Sequence, residues 1–162
     1  MNSKQQEIYK GLNTIGDEIA SFYADGVEIL NSDLKTKSYL IAHLSREIEG
    51  GLRDIFTSQI KRETSTCALC KQQIKKRISH RQAIIETLGI TEENELSTKW
   101  HQVAQKFHRF AHRHGAWKKT RGENEFKELW YQFEEVLSFF LGNYYAIEER
   151  LNRIVKIEEP TS

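Results

Sequence analysis

The sequence predicts an all-α fold, a bundle of four to five helices ending in a long C-terminal helix. Three observations predict it. The only proline is Pro160, so no segment before it meets a ring that would break a helix interior. Apolar residues return at steps of three and four over long stretches, which is the helical period. The chain of 162 residues is 38% apolar and 29% charged, enough for one core and too apolar for a disordered chain. Residues 1–157 are read as a single helical domain, and 158–162 as a tail or the start of a linker, because Pro-Thr-Ser follows a charged stub.

Residues 4–30 predict one amphipathic helix, with Ile8, Leu12, Ile15, Ile19, Tyr23, Val27 and Leu30 on its stripe and Ser3 as a cap. Asn31, Ser32 and Asp33 make a short polar break. A second helix follows over about 34–62, with Leu40 (with Ile41), Leu44, Ile48, Leu52, Ile55 (with Phe56) and Ile60 as its apolar positions. Gly50 and Gly51 in its middle mark a kink or a close helix crossing. Arg46, Glu47, Glu49, Arg53 and Asp54 interrupt the apolar pattern. They read as surface pairs such as Glu49 with Arg53, or as a group that puts one acid beside the basic stretch described below, where it would orient a catalytic side chain.

Residues 63–70, ETSTCALC, break the helical pattern. Cys67 and Cys70 form a C-x-x-C, half of a zinc site, to which His80 would add a third ligand. Two plain thiols are the simpler reading, and no cofactor is expected. Residues 71–88 predict a third helix with Lys71, Lys75, Lys76, Arg77 and Arg81 as a basic patch, stopped by Gly89. Thr91, Asn94 and Glu95 offer start signals for the next helix.

That next helix opens the stretch Trp100–Arg121, WHQVAQKFHRFAHRHGAWKKTR. It holds four of the six histidines and six Lys/Arg, and no acid occurs between Glu95 and Glu123. The chain's formal net charge is only +1, so this local field points to a polyanionic partner that the total would hide. Val103, Ala104, Phe107, Ala111 and His114 share one face with Trp100, and Gly115 ends the helix. Cations in a last turn also simply complement the helix dipole. The final helix, about 123–156, carries a wide apolar stripe from Phe126 to Ile154. The extra aromatics Trp130, Tyr131, Phe139 and Tyr145 suit packing on two sides, one of which a subunit interface would cover, and core packing alone is equally permitted.

No run of about 18 apolar residues occurs, so no membrane span is expected. The start, MNSKQQEIYK, lacks the apolar segment of a secretory signal. Two cysteines make no disulfide scaffold, and a cytoplasmic location is expected.

Arg109 to His114 spell R-F-A-H-R-H, an R-x4-H on a short helical chain. This resembles the HEPN superfamily, helical bundles of which many members are dimeric, metal-independent ribonucleases. The segment YLIAHLSREIEGGLRDIF at 39–56 also looks like the family's first core helix. The resemblance covers about 34–156, with 4–30 as an added helix. Phe110 stands where the family often has Asn, Asp or His. The resemblance implies an endoribonuclease in bacterial antiphage defence or a toxin–antitoxin system, acting on RNA as a homodimer, with an antitoxin, a sensor or a downstream domain as further partners. By it, His114 is the acid/base and Arg109 the phosphate clamp. His112 is the alternative histidine, with Lys106 as its basic partner. His108, Arg113, Lys118, Lys119, Arg121, Lys75, Lys76 and Arg77 would hold RNA, and Trp117 or Phe110 would stack a base. On a straight helix Arg109 and His114 stand about 140° apart; a dimer, or unwinding near Gly115, would bring them together. The rival expectation is a non-catalytic helical module for dimerisation or for binding nucleic acid or protein. A third is a zinc-stabilised interaction domain.

Overall fold

The apolar rhythm resolves into helices around a single aromatic centre. The computed structural model describes residues 1–59, 64–66, 73–75, 82, 85–86, 94–111 and 123–158. Among them run α1 (Ser3–Ile15), α2 (Asp17–Leu30), α3 (Lys37–Gln59), α4 (Glu95–Ala111) and α5 (Glu123–Glu158). A small antiparallel ribbon pairs β1 (Thr64–Thr66) with β2 (Gln73–Lys75), Ser65 facing Ile74. The bundle predicted from sequence is the fold observed.

The helix expected over 4–30 is two helices. Gln5 and Tyr23 donate to the same oxygen of Glu134, each at 2.9 Å. A straight helix would hold positions 5 and 23 about 27 Å apart, so α2 turns back on α1 at Gly16. The apolar steps run through the break without a skip, and periodicity alone therefore misses it. The local signal is Asp17 and Glu18 in the first turn of α2, where acids favour the positive end of a helix. The cap of α1 is Asn2 rather than Ser3: its side chain accepts from the Gln5 backbone while Gln5 reaches back to the Asn2 N–H.

Asn31 and Ser32 close α2 by donating to the Val27 and Ile29 carbonyls at 2.8 and 2.7 Å. α3 then begins at Lys37 and runs through Gly50 and Gly51 as one helix. Gly51 is the crossing point, since a Cβ there would lie 2.9 Å from Ile19 on α2. The buried line of α3 is Ile41, Ser45, Ile48 and Leu52, while Leu40 and Leu44 are half-buried. The third helix does not begin at 71 as expected, because Gln73–Lys75 is a strand. Its partner, Thr-Ser-Thr, has two β-branched residues, which pack well on a pleat. Gln82, Ile85 and Glu86 are helical.

The five helices close a ring. Each packs on the next in chain order, and α5 returns to pack on α1. Trp130 of α5 fills the middle, fully buried, with its ring stacked on Tyr23 at 5.7 Å between centroids and edge-on to Phe133. Gly26 makes room for it: a Cβ there would lie 2.6 Å from Trp130 Cη2. The two-sided packing expected of the last helix is thus met within one chain, by α1 and α4. Tyr131 and Phe139 nevertheless stay about half exposed. No described helix is long and apolar enough to cross a membrane.

Candidate functional site

The α4 helix is amphipathic, and its buried face is Trp100, Val103, Phe107 and Ala111, as the steps of three and four require. Phe107 packs edge-on to Phe126 and Phe133 of α5. That contact turns the other face outward and leaves His101, Lys106, His108 and Arg109 exposed. His101 shares a 2.8 Å hydrogen bond with Gln105, and Lys106 Nζ lies 3.4 Å from Gln132 Oε1 on α5. At the helix start Lys99 and Glu95 pair at 2.8 Å, and the bond and charge of Lys99 hold the Glu95 carboxyl below its ordinary range.

Phe110 does not stand free to stack a base. It is half-buried, edge-on to Phe126 with ring centroids 5.3 Å apart. This position therefore carries packing where the family pattern often carries a polar side chain. His112, Arg113, His114, Trp117, Lys118, Lys119 and Arg121 lie outside the described residues, as do Lys76, Arg77, Cys67, Cys70 and His80. Lys75 is placed by its backbone, as the last residue of β2. No group of three His, Cys, Asp or Glu residues placed to hold a metal occurs among the described residues.

Between α3 and α4 opens a cleft of about 560 Å³, with α2 and α5 behind it. Here the structure brings the charged group of α3 and the basic stretch together: Arg46, Glu47, Glu49, Arg53 and Asp54 line the same cleft as His108. The reading of these charges as surface pairs alone is thus too narrow. Positions 46, 49 or 50, and 53 share one face of α3. Arg53 Nε is held by Asp54 Oδ1 at 3.0 Å. Arg46 and Arg53 are both half-buried. A second, more apolar cavity of about 350 Å³ lies between α2 and α3, beside His43.

Sequence reasoning passed over Glu134. Its side chain is buried, and Oε1 accepts from Gln5 Nε2, Tyr23 OH and Trp130 Nε1 at 2.9, 2.9 and 2.8 Å. The available signal was its spacing: Trp130 stands one turn earlier on the same face. Burial first, then the Glu134 charge and hydrogen bond, push the Tyr23 phenol far above its ordinary range. The cage is closed to solvent and made of neutral donors, so its role is to tie α1 and α2 to α5.

Comparison with protein-family models, curated proteins and solved structures gives no match to this chain.

Proposed function

We propose that this chain is a metal-independent endoribonuclease of HEPN type, acting on RNA as a homodimer in bacterial antiphage defence or a toxin–antitoxin system. The observation that supports it is the placement of Arg109. It is exposed in the last turn of α4, the helix before the long α5, while Phe107 and Ala111 on either side are buried. The packing thus offers the arginine of R-x4-H to a ligand. The resemblance supplies the rest: His114 moves the proton of the 2′-OH and Arg109 holds the phosphate. The 2′-oxygen attacks phosphorus, the bond to the 5′-oxygen breaks, and the products end in 2′,3′-cyclic phosphate and 5′-OH.

The test is cleavage of a mixed RNA pool in EDTA, with wild type beside Arg109→Ala and His114→Ala. Cutting by wild type that is lost in both variants supports the reading, and cutting that persists in His114→Ala overturns it. The exposure of Tyr131 and Phe139 on α5 favours a second reading, a module that docks protein or nucleic acid without cutting. Under it, RNA affinity survives His114→Ala and falls steeply with salt.

A further inference from the structure

The cleft between α3 and α4 is lined by two residues whose donors meet no acceptor among the described residues. Trp100 lines it and is only 4% exposed, and its Nε1–H is buried with no acceptor among the described residues. Arg46 also lines it, half-buried, and makes no ion pair or hydrogen bond there. Buried N–H groups are nearly always satisfied, and leaving one unmet is costly. Trp130 shows the ordinary outcome in this same protein, since its Nε1–H is met by Glu134 at 2.8 Å. Arg46 is thus left at the cavity with no acceptor among the described residues, beside a wall that Trp100 helps to form.

The remaining walls narrow the class of ligand. Phe22, Val103, Phe107, Phe133 and Val136 give the cleft an apolar interior, and its volume is that of a small-molecule site. Its rim carries four carboxylates, Glu18, Glu47, Glu49 and Asp54, against the two guanidiniums Arg46 and Arg53. Arg53 is already offset by Asp54. Among the described residues one guanidinium is left for a ligand, and the acids around it repel a chain of phosphates.

We infer that the α3–α4 cleft is a binding site for a small amphipathic anion, with one carboxylate or phosphate head on Arg46 and a flat apolar body against the aromatic wall that Trp100, Phe107 and Phe133 form. This goes beyond the ribonuclease reading, because the acid rim makes the cleft a poor path for RNA itself. A guanidinium presents a fork that suits either head group.

The experiment is calorimetric titration of the full chain with indole-3-acetate, with adenosine 5′-monophosphate, and with ATP as the polyanionic control. Saturable binding of either of the first two is expected, with ATP weaker by about tenfold or more; which one binds identifies the head group. Arg46→Gln should weaken binding by about tenfold or more and leave the melting temperature unchanged, because Arg46 has no partner to lose. The inference is overturned if neither probe binds at millimolar concentration, if ATP binds as tightly as the monophosphate, or if Arg46→Gln binds like wild type.

Discussion

Tyr23 and Glu134 stand 111 positions apart in the chain and share a 2.9 Å hydrogen bond inside the core. The bond joins the added N-terminal hairpin to the longest helix. With Gln5 and Trp130 on the same oxygen, it makes α1 and α2 part of the bundle rather than an appendage. Removing the acceptor therefore strands three buried donors at once. Glu134→Leu should lower stability by at least about 3 kcal/mol, and Glu134→Gln, which keeps one acceptor, by about 1–2 kcal/mol. Urea unfolding at constant slope checks both; equal, small shifts for the two would refute the cage.

The same contact sets an alkaline limit. The Tyr23 pKa is raised on folding, by burial first and then by Glu134. Its contribution is complete below the unfolded phenol value of about 10. Above it the unfolded chain loses the proton while the folded chain keeps it. Stability then falls by up to about 1.4 kcal/mol per pH unit. Tyr23→Phe should be less stable at neutral pH and should lose this extra slope. Stability curves of the two proteins between pH 8 and 11 decide it, and parallel curves would rule the mechanism out.

Two glycines should respond in opposite directions. A methyl at Gly26 would meet Trp130 Cη2 at 2.6 Å, and both lie in the packed centre. Gly26→Ala should cost about 1–3 kcal/mol through overpacking. Gly142 lies within α5, and a Cβ there meets nothing within 4 Å. Gly142→Ala should stabilise by up to about 1 kcal/mol through helix propensity. Thermal melts of the two variants give the comparison.

Arg109 is exposed at the end of α4, so Arg109→Ala should change stability by no more than about 0.5 kcal/mol. Under the proposed function the same change should reduce RNA cleavage by about 10²–10³-fold, the scale for losing one group that stabilises transition-state charge. Full cleavage by a well-folded variant would remove Arg109 from the site.

Much of the fold was legible before any coordinates. Ile19, Tyr23, Val27 and Leu30 of α2, Trp100, Val103, Phe107 and Ala111 of α4, and Phe126, Leu129, Phe133, Val136 and Phe140 of α5 are buried as their spacing predicts, because a helix that must cover one face repeats its apolar residues at that helix's own period. The same reasoning failed at Gly16, where two helices keep one unbroken rhythm, and at Gln73–Lys75, where cross-strand pairing with Thr64–Thr66 prevails over helical spacing. The site was legible only in its charge. Sequence marked the basic face of α4 and the charged group of α3, and their side-by-side placement required the packing of the two helices.

What the sequence by itself determined is the class of fold, the faces of the helices and a cationic stretch on α4, since each depends on residues a few positions apart. Tertiary structure alone decided the α1–α2 hairpin, the cage on Glu134, the loss of Phe110 to packing against Phe126, and the cleft in which Arg46 meets no acceptor among the described residues. Each of these depends on groups distant in the chain. Whether a buried donor is met is settled by what another helix brings to it, and local spacing carries no record of that.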